Sequence, residues 1–410
     1  MKGRPGSKWL KLLQDSGIVV PEILKMPDEP STLSQHFERT KLGGLEPWGW
    51  SPRSVTLLVP LAEHIVNSAD GLIQRQLLTE SSNLRQCYYE LYSKVWITNF
   101  FRQWLHDHPE THEVFGSPNE LPTVCSDEET LRHSIERKLL TARGVVLKAP
   151  LGNSGRQVKR LFKQAELDGP LGGWCRNILD RQSAVLVDGM REKVADLSRQ
   201  LFIRKNHIRV HAARQFFTDT AWRYLGTELG GGLRYLSHEA RRFLHSTVGT
   251  QGKLLRYWRK ALVDLGQELV KRNYRGPAGV DALLWRASSG KLRLYPMLEL
   301  NPRWTMGHVA LKLERSLCST ARGTWLLITK RDLTKAGYSS FTELWQNLQT
   351  RHPLNIIEQN NSRRIQSGAI PTSDPQQCQS VMTLLIVGHP QNSILGHPNS
   401  ILGHPNFHFR

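Results

Sequence analysis

The sequence predicts an α+β fold. Three observations point to it: two short strand-like runs that each end on a charged residue, GVVLK at 144–148 and SAVLVD at 183–188; a hairpin pattern over 279–301; and helical apolar spacing around them. A period of two marks a strand and a period near 3.6 marks a helix. At 410 residues the chain is long enough for two or three domains, each with its own core.

Taken in order, residues 1–125 read as a smaller N-terminal α/β region. Helical patterns there alternate with the loop-like PWGWSPR (47–53) and the apolar run VTLLVPLAEHIV (55–66). In CYYELYSKVWITNFFRQWL (87–105), Leu91, Val95, Phe100 and Trp104 mark one helical face. HDHPETHEVFGSPNELP (106–122) reads as a linker. Pro109 breaks the register that His106, His108 and His112 would need as metal ligands, so they are expected in an exposed loop.

Residues 126–345 are expected to form the main domain. Beyond the loop that follows GVVLK, Val158, Leu161, Phe162 and Ala165 have the i, i+3, i+4, i+7 spacing of an amphipathic helix. Residues 346–410 are expected to be a largely disordered extension. NNSRR, PTSDPQQ and two copies of NSILGHP (392–398 and 399–405) supply Gly, Pro and polar residues in place of a core pattern.

The opening MKGRPGSKWLKLLQDSG is basic, but Lys11, Gln14 and Asp15 interrupt its apolar residues, so it lacks a signal-peptide core. No apolar run reaches membrane-spanning length. The five cysteines are odd in number, dispersed and without a CxxC, which argues against a disulfide framework. A cytoplasmic protein with no membrane partner is the expectation.

A formal net charge of +19 attracts polyanions, including nucleic acid and nucleotides. IRKNHIRVHAAR (203–214) and HEARRFLH (238–245) could form a nucleic-acid-binding face without catalysis, although no RRM or zinc-finger signature accompanies them. A solvated basic surface is the plainer reading of both.

Chemistry enters at Lys148. Ala149, Gly152, Ser154 and Gly155 let the following backbone approach a ligand closely, with the cation beside it. That arrangement can hold a phosphate chain. An ordinary strand-to-helix turn has the same composition, and neither GxxxxGK[ST] nor GxGxxG is present.

The hairpin is more informative. In GVDALLWRASSGKLRLYPMLELNPRWTMG (279–307), alternation sets Asp281, Leu283 and Trp285 on one face, and Glu299 and Asn301 share a face of the returning strand. Pairing centred on Gly290 puts Asp281 opposite Glu299; a slip by one residue would separate them. A carboxylate pair among apolar strand residues needs protons, donors or a metal. Three hard oxygen donors suit Mg²⁺, and Arg303 is spaced to meet a phosphoryl oxygen.

This order of features resembles the ATP-grasp superfamily: a strand lysine, a glycine-containing loop, a strand carboxylate, then D...E-x-N closing a hairpin. ELNPRWTMG is similar to the E-x-N-P-R-x-x-x-G form of some members, and the resemblance covers roughly residues 90–315. It implies two α+β lobes gripping ATP between antiparallel sheets, and a ligase joining a carboxylate to an amine or thiol through an acyl-phosphate. ATP and Mg²⁺ are the implied cofactors, with Mn²⁺ as the alternative ion. Small-molecule carboxylate and amine are the implied partners, and dimers are common among such proteins, which admits a homodimer.

Carried over by position, Lys148 matches the phosphate-holding lysine, and Gly152, Asn153, Ser154 and Gly155 match the loop that covers the phosphates. Lys94, in Ser93-Lys94, resembles an earlier phosphate-reaching lysine. Val185, Leu186, Val187 and Asp188 correspond to the segment whose backbone binds adenine and whose acid lies near the nucleoside, with Asp196 as a following acidic position. Asp281, Glu299 and Asn301 match the metal ligands, and Arg303 a basic residue at the reacting phosphoryl group, so Arg303 and Lys148 are the implied catalytic residues. Two departures stand out: Gln157 replaces a usual loop glycine, which would reduce loop mobility, and Asp188 replaces a usual glutamate. An inactive ATP-binding protein is the alternative these departures raise.

Overall fold

A computed structural model of the chain describes residues 5–24, 29, 32–79, 82–152, 157–231, 233, 235–246 and 253–388. In chain order its strands are β1 Thr123–Cys125, β2 Val145–Lys148, β3 Val158–Leu161, β4 Val185–Gly189, β5 Glu192–Arg204, β6 His207–Val210 and β7 Arg214–Thr218. They continue as β8 Tyr224–Leu229, β9 Gly276–Arg286, β10 Leu292–Asn301, β11 Gly323–Thr329, β12 Asn355–Gln359, β13 Ser362–Pro371 and β14 Val381–Val387. The class is α+β, and the pairings described below are antiparallel.

The chain divides into two compact units, each assembled from separated segments: residues 27–213 with 235–305, and residues 1–26 with 214–234 and 306–410. These units cross the boundaries drawn from composition at 125 and 345. Pairing partners distant in sequence, not runs of composition, decide which segments belong together.

In the first unit, a four-stranded sheet has the order β1-β4-β2-β3. Val145, Leu147, Val185, Val187 and Leu161 turn inward against Leu131, Ile135, Cys175 and Ile178 of two helices, Glu128–Leu139 and Pro170–Gln182. Each fully buried aliphatic side chain of this kind contributes roughly 1.5–3 kcal/mol relative to exposure. The first helix starts at Asp127, whose carboxylate accepts from the Thr130 N–H at 2.8 Å, and it carries acids in its first turn and bases in its last. The second starts with Pro170 and stops at Ser183, whose φ of 60° turns the chain into β4.

The second sheet of this unit pairs β10 with β9, β9 with β5, and β6 with the end of β5. One face of it is sealed by the helix Leu254–Lys271, which buries Trp258, Leu262, Leu265 and Leu269. Gly266 permits this packing, because a Cβ there would stand 2.6 Å from Ile208.

The other unit pairs its strands in the order β7-β8-β11-β14-β13-β12. Trp325, Leu385 and Ile370 pack with Leu13 and Leu313 on one face. Leu326, Leu384 and Ile386 pack with Phe341, Leu344 and Leu348 on the other. Burial on both faces explains the unbroken runs WLLI and LLIV.

Several expectations are corrected. Residues 346–388 are ordered, because the apolar β14 pairs along its length with β11. NNSRR supplies a hairpin turn: Asn360 and Asn361 adopt φ of 53° and 56° between β12 and β13. The NSILGHP copies lie outside the described residues. Val158–Leu161 is a strand and not a helix, since the chain folds back to pair Leu161 with Val145 and Lys148 with Val158.

Among the described residues before Thr123 there is no named strand, so the N-terminal region is helical where a mixed region was expected. VTLLVPLAEHIV continues the helix Pro52–Leu58 into a 3-10 turn, Val59–His64. Its start is fixed by Pro52 and by a reciprocal cap between Ser51 and Ser54. The stretch 87–105 is broken as well, into the helices Ser82–Glu90 and Lys94–Asp107, with Ser93 capping the second. His108 and His112 are not free loop side chains: each ring bonds a backbone carbonyl, Trp104 O at 2.8 Å and Leu105 O at 3.0 Å. Among the described residues no helix is long and apolar enough to cross a membrane.

Candidate functional site

The break before Lys94 has a structural consequence. Capping by Ser93 starts a new helix at Lys94, whose backbone N–H donates to Pro150 O at 2.9 Å. Its ammonium then donates to Gly152 O at 3.0 Å and to Glu299 Oε1 at 2.8 Å. One buried lysine thus joins a helix start, the root of the glycine loop and β10.

Gly152 is required where it stands, because a Cβ would lie 2.6 Å from the Cβ of Gln157. Gln157 itself fastens the base of the loop: its carbonyl accepts from Ala149 N–H at 3.0 Å and its Oε1 from Trp174 Nε1 at 3.3 Å. Asn153, Ser154 and Gly155 lie outside the described residues.

Lys148, the last residue of β2, donates to Asp188 Oδ2 at 2.7 Å. Asp188 lies beside it because β2 and β4 are paired, with Val146 opposite Asp188. Its other oxygen accepts from Arg191 Nη1 at 2.6 Å. These two cations hold the buried Asp188 carboxyl below the usual carboxylate value, against the opposing effect of burial, which is the largest single influence. Sequence reasoning missed Arg191; an arginine three residues past a strand carboxylate is too common a pattern to signal this contact.

Val185, Leu186 and Val187, which the resemblance assigns to adenine, lie within the four-stranded sheet. β4 is an inner strand, paired with β1 through Val185–Val187 and with β2 through Leu186–Gly189. Leu186 and Val187 are registered against a strand on each side, Val185 against β1 alone, and the three side chains are buried. Asp188 faces two cations.

The hairpin brings the acids together. Asp281 stands directly opposite Glu299, and Asn301 opposite Gly279. The route differs from a regular ladder centred on Gly290: the turn bonds Ala287 N–H to Lys291 O at 2.9 Å, with Gly290 at φ 78°. An irregularity between Tyr295 and Glu299 then shifts the register. On the other side of β9, Ser198 lies opposite Asp281 and Asp196 opposite Leu283. Asp196 is bound by Lys193 at 2.8 Å.

Asn301 Nδ2 donates to Asp281 Oδ2 at 3.1 Å, and Asn301 Oδ1 accepts from Arg303 Nη2 at 2.8 Å. Burial pushes the Asp281 carboxyl up to about 7; the neighbouring Glu299 charge adds to this, as does Asp196, while Arg303 opposes it. Two carboxylates and an amide oxygen on adjacent strands are hard donors, and the repulsion between the acids is what a bound divalent cation would relieve. The donor set fits Mg²⁺. It includes only two acids, and among the described residues no group of three His, Cys, Asp or Glu residues is placed to hold a metal.

Arg303 is placed by the N-terminal segment. Gly49 bridges to Arg303, and Trp304 N–H donates to Trp48 O at 2.9 Å. A Cβ on Gly49 would stand 2.9 Å from the Tyr92 hydroxyl and 3.1 Å from Arg303 Cβ. The loop PWGWSPR is therefore part of the site's wall. The basic run 203–214 contributes elsewhere: within the first unit Arg204 faces Asp70 at 3.6 Å, and within the other Arg214 is buried in an ion pair with Glu314.

No protein-family model matches the chain, and no curated protein matches it significantly. Solved structures similar to it include N5-carboxyaminoimidazole synthase from Aspergillus clavatus in complex with ADP and 5-aminoimidazole ribonucleotide: 10% identity, 93% of this chain and 91% of that one, TM-score 0.49. N5-carboxyaminoimidazole synthetase from Staphylococcus aureus with ADP matches at 12% identity over 80% and 79%, TM-score 0.43. The biotin carboxylase domain of 2-oxoglutarate carboxylase from Hydrogenobacter thermophilus, with MgADP and bicarbonate, matches at 13% over 82% and 73%, TM-score 0.47. At this level of similarity these matches carry no argument about what the chain binds; the residues of the site do.

Proposed function

We propose that the chain is an ATP-dependent ligase joining a small-molecule carboxylate to an amine or thiol through an acyl-phosphate. The observation that carries this reading is the convergence on Lys94, which bonds both the loop root at Gly152 and the acid at Glu299. Residues that the resemblance assigns to phosphate binding and to metal binding are thereby in contact, although 205 positions separate Lys94 from Glu299.

In this reading Lys94 and Lys148 bind the nucleotide phosphates, and the segment from Gly152 covers them. Asp281, Glu299 and Asn301 would hold Mg²⁺, or Mn²⁺. Such an ion would neutralise phosphate charge and polarise the transferred group. Arg303, oriented by Asn301 and by the Gly49 contact, offsets the charge of the phosphoryl group as a carboxylate oxygen attacks it. The bond between the γ-phosphorus and the ADP oxygen breaks as the acyl-phosphate forms. The amine then attacks the acyl carbon, phosphate leaves, and the surplus proton passes to solvent. Covering the intermediate keeps water from reaching it before the amine.

The test is ADP release from Mg-ATP across a panel of amino acids and small carboxylates, with Glu299→Gln as background. Release that depends on one carboxylate and one amine, and is lost in the variant, supports the ligase. Release unchanged by Glu299→Gln across the panel overturns it.

A further inference from the structure

Arg191 is the most firmly anchored cation of the site. Its Nη1 donates to Asp188 Oδ1 at 2.6 Å and its Nη2 to Glu120 O at 2.6 Å. The guanidinium carbon also lies 5.2 Å from the centre of the Trp285 ring and 4.9 Å from that of Tyr295. Lys148 has a single side-chain partner among the described residues, the second oxygen of Asp188 at 2.7 Å. Two cations thus share one carboxylate whose side chain is only 3% exposed.

We propose that Arg191 is the fixed counter-ion of Asp188 and Lys148 the exchangeable one, so that Arg191 acts as a positioning residue that frees Lys148 to meet an incoming phosphate. This rests on the phosphate-binding role proposed for Lys148. Withdrawing a lysine from a buried carboxylate with no other partner would strand that charge, which is strongly unfavourable. With Arg191 in place, Asp188 stays paired when Lys148 moves. The residue types suit these parts: arginine's planar fork reaches two acceptors and stacks on rings, whereas lysine is a point charge on a flexible stem.

The test uses Arg191→Met, which keeps contact with Trp285 and Tyr295 but removes the charge, with Arg191→Gln as a second variant should the first not fold. Among the described residues Lys148 is then the one cation left in an ion pair with Asp188. Acylation of Lys148 by an amine-reactive ester, followed by mass spectrometry, is expected to slow by roughly tenfold, and ADP affinity in Mg²⁺ to fall by a similar factor. Adding Asp188→Asn to Arg191→Met should restore both. Labelling at the wild-type rate or faster in the folded Arg191 variants, with ADP affinity unchanged, overturns the proposal and leaves the nucleotide reading standing. A wild-type protein that binds no ADP overturns the nucleotide reading, and the labelling rates then decide alone whether Arg191 holds Asp188 in place of Lys148.

Discussion

Asp281 and Glu299 stand opposite each other on β9 and β10 because of an irregular stretch in β10. Continued without interruption from the Leu292–Arg286 pair, the ladder would have set Met297 opposite Asp281. The interruption contains Pro296, which has no N–H for a ladder and whose carbonyl accepts from Trp258 Nε1 at 3.2 Å. The helix Leu254–Lys271 is thus bonded to β10 within the stretch where the register shifts.

The raised value of Asp281 has a sign that can be checked. Its folded value of about 7 exceeds its ordinary 3.8, so the folded state loses stability as pH rises from about 4 to 7, and the full penalty applies above 7. Asp281→Asn removes the penalty and keeps an acceptor for Asn301. In buffer free of divalent ions, the variant should be more stable than the wild type at pH 8, by roughly 1–3 kcal/mol, and equal to it near pH 4. Thermal unfolding at the two pH values measures this, and equal stability at pH 8 would count against a raised Asp281 carboxyl.

Gly49→Ala should separate activity from stability. The new Cβ displaces the Tyr92 hydroxyl or Arg303, both within 3.1 Å of it. Turnover is expected to fall by roughly tenfold or more, because a misplaced catalytic group loses its orientation. The melting temperature should change by only a few degrees. Steady-state ADP release together with a melting curve checks the pair of outcomes.

Residues 381–387 should behave as core. Leu384, Leu385 and Ile386 are bonded between β11 and β13 and buried on both faces. Their amides are expected to exchange with deuterium only in the slowest class, alongside those of Leu326 in β11. Rapid exchange across β14 would restore the disordered extension that composition suggested.

The sequence was most legible where short-range pattern and chemistry agree. GVVLK and SAVLVD form β2 and β4 as their apolar runs suggest, and Asp281, Glu299 and Asn301 meet on paired strands. It was least legible where the partner is distant. Lys94 acquires its place from Glu299 and Gly152, and no local spacing announces either contact. Val158, Leu161, Phe162 and Ala165 satisfy a helical period, and only the pairing of Val158–Leu161 with β2 overrides it. Polar NNSRR reads as loop composition, yet two asparagines in left-handed geometry are what a tight hairpin requires.

The central claim is that one cluster of acids and lysines holds a magnesium nucleotide. Equilibrium binding of ADP, measured by calorimetry with and without Mg²⁺, tests it most directly. The wild type should bind ADP more tightly with Mg²⁺ present, and Glu299→Gln should abolish that gain while retaining its fold by circular dichroism. No ADP binding at any Mg²⁺ concentration, or an Mg²⁺ gain untouched by Glu299→Gln, would contradict it.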